Sequence, residues 1–174
     1  MSKDFGLAGF RFSLLWTKNA EMNRAFAEFA HFMEVSAVCQ TVVANMLNDE
    51  EYLKWHVKTL REDVWKGRDI AQTFFRENGI PIIPGSAGYF CWINLNEYMK
   101  GNTFEDEEEL YNYIYEHGKV IICPGKSFFA REAGWFRMVF TCYSHEHLKI
   151  ALDRLKKALQ ERKQEMAAPS KRRH

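Results

Sequence analysis

The sequence has no charge of one sign in excess: 24 Lys and Arg stand against 23 Asp and Glu, a formal net charge of +1. Such a balance gives no field to draw the chain to nucleic acid or to an anionic membrane, so neither is expected as a partner. The single basic cluster is the tail Lys171-Arg172-Arg173-His174, which reads as a solvated end. No apolar run approaches the ~20 residues that cross a bilayer, and the N-terminus lacks the apolar core of a signal peptide. No C-x-x-C pair occurs among Cys39, Cys91, Cys123 and Cys142. The last three sit in apolar, strand-like runs and read as reduced core residues, which together with the missing signal implies a cytoplasmic protein. His145 and His147 lie two apart at a helix start and point to different sides, while His31, His56 and His117 are isolated on helices; no metal site is implied. Proline and glycine are sparse, at 4 and 10 residues, which excludes collagen-like and low-complexity classes.

What is abundant is apolar and aromatic surface: 47% hydrophobic residues and 15% Phe, Trp and Tyr. An aromatic excess of this kind is expected to include residues that cover a partner surface. The pattern predicts a strand at residues 10–16 and an amphipathic helix at 19–33, with Met22, Phe26, Phe29 and Met33 on one face and a polar cap at Asn19. Ser36 can cap a second, apolar helix through Leu47. Residues 49–78 form the longest helical pattern, stopped by Gly79 and Pro81; a helix of about 28 residues within it would be about 42 Å long at 1.5 Å per residue. Beyond it the expected order is β-β-α-β-β-α, with strands at 80–83, 89–95, 119–123 and 135–142. Thr103 and Asp106 mark a capping-box start whose acidic run, Glu105 to Glu109, suits a solvated helix N-terminus. Ser144 caps a last helix to about Glu165, with Leu148, Leu152, Leu155 and Leu159 inward. The implied organisation is a remnant of a larger domain at 1–48, a bridging helix at 49–79, a small α+β domain at 80–165 and a disordered basic tail at 166–174.

Lys3 lies in a glycine-containing loop eight residues before Arg11. An enzyme that forms an imine with an aldehyde cofactor needs a lysine able to lose its proton, and an arginine fork suits a cofactor phosphate. By spacing alone the signal is weak, and a solvated terminal lysine is the favoured reading. The segment Ser2-Lys3-Asp4-Phe5-Gly6-Leu7-Ala8-Gly9-Phe10-Arg11, however, resembles the Schiff-base peptide of class I/II aminotransferases, especially its 1-aminocyclopropane-1-carboxylate synthase form. Three further stretches are similar to family motifs in the same order. They are Ala87-Gly88-Tyr89-Phe90-Cys91-Trp92-Ile93-Asn94-Leu95, Pro124-Gly125-Lys126-Ser127-Phe128, and Glu132-Ala133-Gly134-Trp135-Phe136-Arg137, the last with Ala133 in place of proline.

The resemblance implies an α/β fold of the PLP-dependent transferase, aspartate aminotransferase-like kind: the C-terminal part of the large domain plus the α+β small domain. It implies pyridoxal 5'-phosphate as cofactor, bound through Lys3, Arg11 and Ser2, with Lys3 also moving the α-proton. Arg137 falls on the arginine that binds the substrate α-carboxylate. In a strand, Arg137 shares a face with Trp135, Val139 and Thr141, a setting that calls for an anionic partner; a core salt bridge to Glu132 is the alternative. The implied reaction is that of a transaminase or a 1-aminocyclopropane-1-carboxylate synthase-like lyase on an α-amino acid, in a homodimer. In the family the lysine follows more than half of the chain, and that preceding half supplies the aspartate that pairs with the pyridine nitrogen, so this sequence is expected to be a truncated C-terminal half, inactive alone. The alternative is a non-catalytic remnant that keeps the small domain as an interaction module.

Overall fold

The computed structural model describes residues 1–168; the tail from 169 on, with its basic cluster, lies outside the described residues. The chain forms two compact units, Met1–Thr59 and Leu60–His174.

In the first unit, α1 (Ala20–Phe29) begins where the sequence predicts, because the Asn19 side chain accepts hydrogen bonds from the Glu21 and Met22 N–H groups at 2.9 and 3.1 Å. A single 3-10 turn, Ala30–Phe32, follows it. Helix α2 (Ala37–Asn48) starts after Ser36, but the Ser36 hydroxyl makes no capping bond. Helix α3 (Glu50–Glu77) opens on Asp49, whose carboxylate accepts from the Tyr52 N–H at 2.8 Å. The expected strand at 10–16 does not form: Ala8–Phe10 is a 3-10 turn and the following residues are irregular. Alternation alone does not make a strand. The backbone needs a neighbour to bond, and among the described residues this segment has none. Its Leu14 and Trp16 stand 78% and 80% exposed. The apolar stripe of α1 (Met22, Phe26 and Phe29) is likewise exposed, and Val43 is the one buried apolar residue described in this unit.

The second unit holds the core. Helix α3 ends at Gly79 (φ +67°), and the Ile80 N–H reaches back to the Phe75 carbonyl at 2.9 Å, closing the helix in the left-handed turn that glycine favours. A three-stranded antiparallel sheet follows in the order β1 (Phe90–Asn94), β3 (Trp135–Val139), β2 (Cys123–Pro124). All four expected strands are shorter than their patterns, with 135–142 ending at Val139, and two are nearly lost. Residues 80–83 contribute one bridge, Ile82 to Ile93, and 119–123 reduce to the two-residue β2, because Lys119 turns left-handed (φ +54°) after α4. Helix α4 (Phe104–Tyr113) runs into a π turn at Ile114–Gly118. Its capping box is complete: the Asp106 N–H donates to the Thr103 hydroxyl, and the Asp106 carboxylate accepts from the Thr103 N–H. Helix α5 (His145–Ala167) is capped by Ser144.

One face of the sheet (Cys91, Ile93, Phe136 and Met138) packs into a core with Ala71 and Phe75 of α3, Leu110 of α4 and Leu152, Leu155 and Leu159 of α5. All four cysteines are free thiols, but they are not all core residues: Cys91 is buried, Cys123 half-buried and Cys142 exposed. Cys142 lies beyond the last paired residue of β3, where the chain has left the sheet. Arg162 of α5 is buried, donates to the Tyr98 carbonyl at 3.2 Å and pairs with Glu109.

Candidate active site

Ser2, Lys3 and Arg11 belong to the unit Met1–Thr59, and Arg137 to the other. The N-terminal segment is an ordered loop. Its first turn closes between the Phe5 N–H and the Met1 carbonyl (3.1 Å), its second between the Phe10 N–H and the Leu7 carbonyl (3.2 Å). It is tied to the first turns of α3. The Phe5 ring stacks on His56 at 4.9 Å and 11°, and His56 Nε2 meets the Asp4 carbonyl at 2.8 Å. These contacts flank Lys3 in sequence, while Lys3 itself is exposed and Ser2 half-buried. Arg11 sits at φ +52°, donates one Nη1 bond to the Ala8 carbonyl at 3.2 Å and is otherwise exposed. An accessible amine and a guanidinium with most of its fork open, on one anchored loop, form a donor set that suits an aldehyde-bearing phosphate.

Arg137 occupies the outward face of the sheet, paired in register with Trp92 on β1 and Cys123 on β2. Its guanidinium lies over the Phe128 ring at 3.8 Å and the Phe90 ring at 4.5 Å. Its Nε is buried without a hydrogen-bond partner, and among the described residues Arg137 makes no ion pair. The alternative salt bridge to Glu132 is absent: Glu132 accepts instead from Trp135 Nε1 at 3.0 Å. Trp92 meets Phe128 edge-on at 5.8 Å, and a shallow hollow beside them is lined by Ile83, Trp92, Phe128, Arg131 and Trp135.

The turn Gly125–Phe128 that presents Phe128 demands glycine at its start, since a Cβ on Gly125 would come within 2.5 Å of the Trp135 carbonyl oxygen. Gly134 (φ +93°) is tighter still, with Asn96 Oδ1 1.5 Å from where a Cβ would stand. Both loops meet at one side chain that the sequence did not single out. Glu107, read above within a solvated acidic run, is fully buried. Its two oxygens accept from the Lys126 N–H at 3.0 Å and the Gly134 N–H at 2.7 Å. The available signal was spacing: Glu107 falls three and seven residues before the core residues Leu110 and Ile114, on the inward face of α4. Nothing local marks His56 as the anchor of a loop 52 residues earlier.

Each unit thus carries basic residues suited to an anionic ligand: the first an exposed lysine and arginine on one loop, the second a strand arginine held between aromatic rings with no counter-charge among the described residues. The sequence matches the family Aminotransferase class I and II over residues 1–155, and the chain belongs to that family. It is 33% identical over 156 residues to 1-aminocyclopropane-1-carboxylate synthase 11 of Arabidopsis thaliana, covering 90% of this chain and 34% of that protein. It is 34% identical over 163 residues to probable inactive 1-aminocyclopropane-1-carboxylate synthase-like protein 2 of Mus musculus, covering 93% of this chain and 28% of the relative. Among solved structures, cystalysin from Treponema denticola, which contains a pyridoxal 5'-phosphate cofactor, superposes with a TM-score of 0.76 at 19% identity, covering 92% of this chain and 40% of that one. The fold is that of the aspartate aminotransferase-like enzymes. The chain spans about a third of the length of the curated relatives it matches. Among the described residues no group of three or more His, Cys, Asp and Glu is placed to hold a metal, and no helix is long and apolar enough to cross a membrane.

Proposed function

We propose that this chain carries the lysine, phosphate-binding and carboxylate-binding residues of a pyridoxal 5'-phosphate-dependent transaminase or 1-aminocyclopropane-1-carboxylate synthase-like lyase acting on an α-amino acid. The observation that carries the reading is Arg137. A buried Nε–H left without an acceptor costs about 1–3 kcal/mol, and a planar carboxylate would satisfy it while the two phenyl rings hold the fork flat. When bound, the cofactor supplies an aldehyde for a lysine amine and a ring that accepts electron density from the substrate α-carbon. Lys3 would hold the aldehyde carbon and carry the α-proton, Arg11 would hold the phosphate, and Ser2 stands beside the lysine. The exposed apolar stripe of α1 with Leu14 and Trp16 supports a further claim, that these side chains are covered in a homodimer of the whole protein.

The test is calorimetric titration of the chain with an α-amino acid, against Arg137→Ala and Arg137→Lys. Lysine keeps the charge and loses the fork, so both variants are expected to bind at least tenfold more weakly, a loss of about 1.4 kcal/mol. Equal affinities for wild type and Arg137→Ala would refute the assignment.

A further inference from the structure

We infer that Glu107 is a positioning residue for Arg137: one buried carboxylate fixes both the turn that presents the Phe128 ring to the arginine and the loop that leads into its strand. The inference rests on the reading that Arg137 takes a carboxylate, but it is tested apart from that reading.

Glu107 is 0% exposed, and among the described residues it has no cationic partner. A buried acid with no counter-ion is costly, and is retained in a fold only when its oxygens are well bonded. Here each oxygen takes one backbone N–H, from Lys126 and from Gly134. Lys126 lies in the turn Gly125–Phe128, and the last residue of that turn places its ring 3.8 Å from the Arg137 guanidinium. Gly134 immediately precedes β3, whose third residue is Arg137. The carboxylate therefore sets the ring above the guanidinium and the entry of the strand that carries it. A glutamine of the same shape has one acceptor oxygen and one N–H₂ group. It must orphan one of the two loop N–H groups and release that loop.

The experiment uses the full 174-residue chain, isotopically labelled, and reads the proton resonances of the Arg137 side chain by NMR. Stacking on Phe128 gives these protons an upfield displacement that depends on the ring staying in place. Glu107→Gln is compared with Leu155→Val, a core change in α5 chosen to lower the melting temperature without touching either loop. Lys126→Pro deletes one of the two N–H donors and leaves the carboxylate intact, so it serves where Glu107→Gln fails to fold. The upfield displacement is expected to be lost in Glu107→Gln, reduced in Lys126→Pro and kept in Leu155→Val. If Lys126→Pro and any folded Glu107→Gln keep it in full, or if Leu155→Val loses it equally, Glu107 is a structural brace only and the inference is overturned. Titration of the same samples with an α-amino acid separates the two claims. Failure of the wild-type chain to bind through Arg137 removes the proposed function, while the Arg137 resonances still decide the role of Glu107.

Discussion

Replacing Gly134 by alanine should be among the most damaging single changes in the second unit, and its cost can be worked from the geometry. Two other costs add to the backbone one. At φ +93° an L side chain is strained, by about 1–2 kcal/mol on the scale of left-handed residues. The new Cβ would stand 1.5 Å from Asn96 Oδ1 and 2.3 Å from its Cγ, so the whole amide must move, an overpacking cost of roughly 1–3 kcal/mol. Any shift of the Gly134 N–H from its 2.7 Å bond leaves a buried Glu107 oxygen unpaired, roughly 1–3 kcal/mol more. The sum is about 3–8 kcal/mol, a large fraction of an ordinary domain's stability and at its upper end enough to unfold a marginal one. Gly79→Ala is the control: φ is +67° and nothing lies within 4 Å of its Cβ, so only the backbone cost of about 1–2 kcal/mol applies. Urea denaturation followed by tryptophan fluorescence gives both values. Asn96→Ala should recover about 1–2 kcal/mol of the Gly134→Ala loss in a double-mutant cycle, since it removes the atoms in collision. Equal costs for the two glycine variants, or full additivity with Asn96→Ala, would refute the steric argument.

The thiols should divide by burial. Burial pushes Cys91 up to about 12, so it should resist alkylation at pH 8 in the folded chain, whereas the exposed Cys142 should react at once; thiol titration with and without denaturant checks both. Acid should weaken the second unit through two carboxylates. The Thr103 side-chain and backbone hydrogen bonds hold Asp106 below the ordinary range. For Glu109 burial acts upward, but the hydrogen bonds from Lys100 and Arg162 outweigh it and the group is also lowered. Because both folded values are depressed, their stabilisation is present above the unfolded carboxylate range and lost as pH falls through the folded values. Denaturation midpoints measured downward from pH 6 should show that loss, and Thr103→Ala should reduce it by removing the side-chain bond to Asp106 while the Glu109 part remains. Thr103→Ala should also cost about 1 kcal/mol at neutral pH through loss of the cap, read as a fall in melting temperature.

What could be read from the sequence was whatever local chemistry decides. The Asn19 cap, the Thr103–Asp106 box, the stop at Gly79 and the inward leucines of α5 all depend on neighbours within a few residues, and each stands where the pattern puts it. The alternation that put Arg137 on one face with Trp135 and Val139 also holds, because the strand's period of two fixes the faces once a sheet exists; the opposite face, with Phe136 and Met138, is the buried one. The failures were non-local. Residues 10–16 alternate well but pair with nothing described, and β2 is two residues long because Lys119 diverts the chain. The same limit hid Glu107. Its partners lie 19 and 27 residues away, so a charge in an acidic run looked solvated although its spacing put it on the apolar face. For the candidate site, motif resemblance put Lys3, Arg11 and Arg137 forward, while the phenyl rings that hold Arg137 became visible only in three dimensions.

The most direct measurement of the central claim is to incubate the purified chain with pyridoxal 5'-phosphate, reduce with borohydride, digest, and map the phosphopyridoxyl group by mass spectrometry. The label is expected on Lys3 at stoichiometric yield, with a visible absorption band before reduction that Lys3→Ala abolishes and Arg11→Ala weakens. Label spread evenly over the surface lysines, with the same spectrum in Lys3→Ala, would contradict the account.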